Sequence, residues 1–208
     1  MESHSLEDLV GGTWDSVRAA FGTNRELYVL DRDTNVYRVD VIAGTYGDSL
    51  GEGFDGDHLV VVGDKPFVFA GPTATVGGRV FTIEDRSLYS LDPASDEWTQ
   101  LDNTWDTRHL IGLGDHLFAW EADNALYRVD PTTGGATPLD NNWPLVTGVA
   151  TAIGRLHAVD DGILYRVDPD TGGCCAVSDR LHTRLLAGAG SSIYSFETTG
   201  ELLRICVG

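Results

Sequence analysis

The side chains best able to do chemistry are few, and their spacing limits what they can do. Gly47-Asp48-Ser49-Leu50-Gly51 fits Gly-x-Ser-x-Gly, the pattern of a nucleophile elbow. That device needs its serine on a strand-to-helix turn, with a histidine and an acid brought in from elsewhere. Asp55 and His58 follow closely, but no helix-forming stretch does, and the surroundings read as short strands. Chance in a chain rich in Gly and Asp explains the match. The six histidines (His4, His58, His109, His116, His157, His182) include no His-x-x-x-His or similar ligand spacing, so no metal or other cofactor is implied. Asp31/Asp33 and Asp168/Asp170 could line Ca²⁺ loops, yet ordinary Asx-turns account for them more simply. Cys174, Cys175 and Cys206 cannot build a disulfide framework and read as reduced, structural thiols. No catalytic residue is assigned.

A second group of residues recurs. Trp14, Phe54, Trp105 and Trp143 each precede a short strand, and Asp15, Asp106 and Asn142 flank the tryptophans. Aromatic faces suit the C–H surfaces of sugars, and Asp or Asn beside them accept hydroxyl hydrogen bonds. These seven are the candidate ligand-binding residues. The competing reading makes each aromatic a wedge between neighbouring repeats. Arg38, Arg128, Arg166 and Arg204 share one repeat position. A half-buried arginine needs an acceptor, so each is expected to pair with the Asp two residues on or with an acid on a neighbouring strand. Binding of ligand anions is the alternative.

The element that positions these residues is a repeated strand. It reads Val-Tyr-Arg-Val-Asp at 36–40, Leu-Tyr-Ser-Leu-Asp at 88–92, Leu-Tyr-Arg-Val-Asp at 126–130 and 164–168, and Leu-Leu-Arg-Ile-Cys at 202–206. Its centres, Tyr37, Tyr89, Tyr127, Tyr165 and Leu203, lie 52, 38, 38 and 38 residues apart. A period near 40 built of short strands is that of propeller blades. After the phrase come a turn (Asp130-Pro-Thr-Thr-Gly-Gly), a polar outer strand (Ala136 to Leu139), the aromatic corner, a small apolar inner strand (Val149 to Ile153) and a further strand (Arg155 to Val159). The expected fold is all-β: a five-bladed β-propeller over 1–208, with four antiparallel strands per blade.

The last repeat ends at Gly208 without an outer strand, while Ser5 to Val10 followed by Gly-Gly-Thr13-Trp14-Asp15 matches the outer strand and corner at 99–106. The N-terminal strand is therefore expected to complete the last blade, which removes an open edge. The long first interval carries about 14 extra residues. Gly56 to Ala70 reads as an inserted hairpin in the second blade, turning at Gly63-Asp64-Lys65-Pro66, with a reduced sixth blade as the alternative.

Composition narrows the partners. With 32 Asp+Glu against 14 Lys+Arg the net charge is −18. Such a surface repels phosphate backbones and anionic lipid, so neither nucleic acid nor membrane is an expected partner. A glycan or small-molecule ligand, or a protein partner, is. The first residues lack the basic and apolar regions of a secretory signal, and the expected location is cytoplasmic.

Trp at the corner, then Leu-Tyr or Leu-His-Ala-Val, then Leu-Tyr-Arg resembles tectonin repeats and the five-bladed propellers of the tachylectin-2 type. Trp14 to Tyr37 and Trp143 to Arg166 carry the likeness best; the corner at Ser178-Asp-Arg-Leu181 lacks the Trp. The resemblance implies a lectin-like binding module with related sites near the blade corners. The alternatives are a small propeller enzyme (lyase, cyclase or hydrolase) acting at the channel mouth beside the irregular second blade, and a protein-interaction scaffold.

Overall fold

A computed structural model describes residues 6–7, 13–23, 26–63, 65–102, 104–139 and 142–207. Among these there are twenty-two strands and no helix. The first is β1 (Leu6–Glu7). Blade 1 follows with β2 (Val17–Gly22), β3 (Leu27–Asp31), β4 (Val36–Asp40) and β5 (Thr45–Gly51). Then comes a hairpin, β6 (His58–Val62) and β7 (Lys65–Phe69). Blade 2 has β8 (Thr73–Val76), β9 (Arg79–Glu84), β10 (Ser87–Asp92) and β11 (Glu97–Asp102). Blade 3 has β12 (Thr107–Leu113), β13 (His116–Glu121), β14 (Leu126–Val129) and β15 (Ala136–Leu139). Blade 4 has β16 (Val146–Ala152), β17 (Arg155–Asp160), β18 (Ile163–Val167) and β19 (Cys174–Ser178). Blade 5 has β20 (Thr183–Ala189), β21 (Ser192–Glu197) and β22 (Leu202–Cys206), and β1 is its fourth strand. Leu6 stands opposite Ile205 and Glu7 opposite Arg204. The chain is a five-bladed β-propeller.

Burial follows from each strand's place in its blade. The second strand is covered on both faces by the adjacent blades, and β3 and β21 are buried throughout. The repeated phrase is the third strand; it buries its first and fourth residues, as Leu126 and Val129 do in β14, where the middle pair is half-buried. The fourth strand is the rim and is mostly exposed.

The inserted hairpin does not join the sheet of blade 2, as the sequence suggested; it forms a two-stranded sheet of its own. Alternate side chains of a strand point to opposite faces. Leu59 and Val61 accordingly pack on Ala19, Leu30 and Val36 of blade 1, while Val60 packs with Val80 and Leu91 of blade 2. β6 thus lies between β2 and β8 as a further inner strand. The ring is five full blades with a two-stranded wedge between the first and second.

Two devices recur around the ring. In each blade the turn between the second and third strands holds a residue with positive φ: Thr34, Arg86, Asn124, Gly162 and Gly200. Its carbonyl accepts the backbone N–H of the corner residue that leads into the next sector, Phe54, Trp105, Trp143, Leu181 and Trp14 respectively, at 2.9–3.1 Å. The second device is close approach at the axis. A Cβ on Gly22 would lie 1.8 Å from the Gly188 carbonyl oxygen, and one on Gly188 would lie 2.0 Å from that of Thr151. Only glycine lets β2, β20 and β16 converge so tightly.

Candidate functional site: the axial channel and the blade corners

The corner residues are wedges. Trp14 is 1%, Trp143 3% and Trp105 5% exposed. Trp143 packs edge-on against Trp120 of blade 3 and Tyr165 of blade 4, with ring centroids 6.3 and 5.8 Å apart. Trp105 meets Tyr127 in the same way, and Trp14 meets Tyr46 and Phe196. Phe54 is half-buried against blade 1 and the hairpin. Leu181, buried at 3%, fills the fifth corner. Asp15, Asp106 and Asn142 are exposed beside these buried rings. Trp105 and Asp106 line one shallow pocket of about 400 Å³ together with Glu121 and Tyr127. Elsewhere the indole faces that a sugar would stack on are covered by neighbouring blades.

The inner strands enclose a different space, an axial channel of about 230 Å³. At the end where these strands begin, its wall carries Asp57 and His58 from the hairpin, Thr73 of β8, His109 of β12, Thr147 of β16 and Arg184 of β20. A bulge at the second residue of β2, β12, β16 and β20 breaks the pairing at Arg18, Arg108, Thr147 and Arg184. Bulges re-aim side chains, and here they place Thr147 and Arg184 at the mouth of a channel whose remaining wall is mostly small and apolar.

The polar groups of the mouth are held individually. Arg18 forms an ion pair with Asp57 at 2.9 Å, joining blade 1 to the hairpin. Arg184 donates to the carbonyl of Val17, and to that of Trp14 at 3.0 Å, joining blade 5 to blade 1. His109 donates through Nε2 to the Val146 carbonyl at 3.2 Å. Burial pushes both His109 and His58 below the usual imidazole range, with Asp57 and Glu84 opposing the shift at His58. At pH 7 both rings are neutral, and His109, protonated on Nε2, keeps Nδ1 as an acceptor.

Sequence reasoning missed a set of acids that orders this face. Glu84, Glu121, Asp160 and Glu197 each close a second strand, and each accepts a backbone N–H from the segment entering the inner strand. The donors are Gly71 (2.9 Å), Asp106 (2.7 Å), Leu145 (2.7 Å) and His182 (2.5 Å). Asp31, the fifth, accepts from Asn35 at 2.9 Å instead. The signal was available, since the acid lies at one fixed place in every repeat.

The other candidates resolve plainly. Ser49 lies on β5, the outer strand of blade 1, and among the described residues its hydroxyl bonds only to the backbone of Gly51. Asp130 and Asp168 cap their turns, accepting from Thr132 and Thr133 and from Asp170 and Thr171. Those bonds hold both carboxyls below their usual range. Cys174 and Cys175 are exposed, Cys206 is half-buried, and none of the three is in a disulfide. Arg38 pairs with Glu26 at 3.3 Å and Arg128 with Asp170 at 2.9 Å, rather than with the Asp two residues on.

No protein-family model matches the sequence. No curated protein matches it either. Solved structures do. A structural-genomics protein of unknown function from Bacteroides thetaiotaomicron superposes with TM-score 0.72 at 11% identity, over 99% of this chain and 72% of that one. The WD40 propeller domain of Doa1 gives 0.63 at 12%, over 99% and 97%. Glutaminyl cyclase from Myxococcus xanthus gives 0.59 at 11%, over 97% and 94%. At such identities the likeness establishes the propeller fold alone.

Proposed function

We propose that this propeller is a binding module whose ligand is a small polar molecule held in the mouth of the axial channel. The observation that carries the reading is the hairpin. It is the one departure from the blade plan in strand number among the described residues, and it delivers Asp57 and His58 into a channel that blade 3 supplies with His109. Loops and insertions on a rigid scaffold are where binding residues concentrate. A volume of about 230 Å³ falls below the range of drug-sized sites, so the ligand is of the size of an amino acid or a monosaccharide. Threonine hydroxyls, neutral imidazoles and the apolar edges of Leu59 and Leu110 favour a hydroxylated or amide-bearing molecule over a strongly charged one. A sugar therefore stays within the ligand class, but through the channel rather than the buried corner tryptophans.

A second reading, an enzyme acting in the same mouth, draws on Nδ1 of neutral His109 as a proton acceptor. The test for both is a panel of free monosaccharides, amino acids and their amides, read by thermal shift and calorimetry on the parent and on His58→Ala and His109→Ala. Stabilisation by at least one compound, lost in both variants while their own melting changes little, supports the channel. Turnover of that compound would favour the enzyme. Binding that survives both substitutions and fails in Asp106→Ala would move the site to the corner.

A further inference from the structure

The arginine of the third strand has a fixed neighbour. In every blade it shares a sheet face with the residue at or just before the start of the second strand, one diagonal step away. Side chains so placed are within reach of each other. In three blades the two positions satisfy one another. Blade 1 has Glu26 with Arg38, an ion pair at 3.3 Å. Blade 2 reverses the order, with Arg79 donating to Ser90 at 2.8 Å. Blade 5 has Arg204 donating to Ser192 at 3.0 Å. Blade 3 has His116 beside Arg128, and Arg128 turns to Asp170.

Blade 4 has arginine at both positions, Arg155 and Arg166. Both are exposed, and neither makes an ion pair or side-chain hydrogen bond among the described residues. Together they border an opening of about 340 Å³ that also touches Asp168 and Cys175. Asp168 makes no ion pair with either arginine among the described residues; its Oδ1 is engaged by the N–H groups of its own turn. Beneath the pair the same row differs again. Where the other blades bury Tyr28, Phe81, Phe118 and Tyr194, blade 4 buries His157, whose Nδ1 has no partner. Two unpaired guanidiniums on one sheet face repel, and blade 4 has a second cation where blades 1 and 5 have an acid or a serine. An oxyanion between them removes the repulsion and accepts the planar, bidentate donors of both.

We infer that Arg155 and Arg166 of blade 4 form a binding site for a phosphate-type oxyanion, free or as a phosphate monoester. It lies on the flank of one blade and does not depend on the channel. The net charge of −18 opposes anion approach at long range, so binding is set by the two short contacts and weakens with salt.

Inorganic phosphate and glycerol phosphate are the probes, applied to the full chain at pH 7.5 against sodium chloride of equal ionic strength. Phosphate should raise the melting temperature saturably and above the chloride control. Arg155→Glu, which installs the pairing of Glu26 with Arg38, should fold at least as stably without phosphate and lose tenfold or more in apparent phosphate affinity. Arg166→Ser, the pairing of Arg79 with Ser90, should behave likewise and serves if the first variant does not fold. A stronger response to glycerol phosphate than to phosphate assigns the site to a monoester; an equal response assigns it to the free ion. Equal effects of phosphate and chloride on the parent would overturn the inference, as would a saturable response that persists in either variant.

Discussion

His157 offers a quantitative test of how blade 4 is built. It is 1% exposed, and its Nδ1 has no hydrogen-bond partner. Desolvation above all, opposed by a hydrogen bond to the Arg155 backbone and helped by the charges of Arg166 and Arg155, pushes its pKa down to about 4. In the unfolded chain an imidazole titrates near 6.5, so between 6.5 and 4 the unfolded state binds a proton that the folded state refuses. The sign follows: this residue's contribution is intact above pH 6.5 and is lost as pH falls toward 4. At about 1.36 kcal/mol per unit the full loss is about 3 kcal/mol, of which about 2.5 is reached at pH 4.5. Replacement by phenylalanine, the residue at this place in blades 2 and 3, deletes the titration. His157→Phe should be more stable than the parent by about 1 kcal/mol at pH 7.5, because a buried unpaired nitrogen is gone. The advantage should widen by about 2–3 kcal/mol at pH 4.5. Urea denaturation in chloride buffer at four pH values measures it, and the carboxylates and other histidines cancel in the difference. A gap that stays constant to within about 0.5 kcal/mol across that range refutes the argument.

Two further substitutions probe the ring. Gly188→Ala places a methyl 2.0 Å from the Thr151 carbonyl oxygen; blades 4 and 5 must part, and stability should fall by about 3 kcal/mol or more, lowering the melting temperature by roughly 6–12 °C. A variant melting within about 2 °C of the parent would show that the inner strands are not in close contact. Trp143→Ala empties a wedge shared by Trp120 and Tyr165 and should cost about 3–5 kcal/mol by urea denaturation. An unchanged midpoint would return that tryptophan to the role of an open ligand face.

The blade count, the strand order and the closure by β1 were legible because they depend on repetition. Tyr37, Tyr127 and Tyr165 mark the third strand, and a strand missing after Cys206 had an unclaimed match before Trp14. The positive-φ turn residues were less legible, because Thr34, Arg86, Asn124, Gly162 and Gly200 share a backbone conformation but no side-chain type. The hairpin's place was misjudged for a physical reason. β6 is an apolar run buried on both faces, and its sequence does not say whether hydrogen bonds or side-chain packing join it to blade 2. The channel mouth beside the irregular second blade was legible as an alternative place for a site, but its lining was not: His58, His109 and Arg184 are far apart in sequence and occupy unlike positions in their repeats.

Repetition also provides a way to separate scaffold from site within this one chain. Whatever appears in nearly every blade, such as the carbonyl-to-corner bonds and the acids at Glu84, Glu121, Asp160 and Glu197, must serve what every blade needs, which is packing against its neighbours. A ligand approaching a near-symmetric ring meets these features several times over and gains no selectivity from any one of them. Selectivity has to come from what occurs once. The polar groups that the hairpin adds to the channel and the doubled arginine of blade 4 are such features. The corner tryptophans fall on the scaffold side of this division, since Leu181 performs the same packing with no aromatic ring at all.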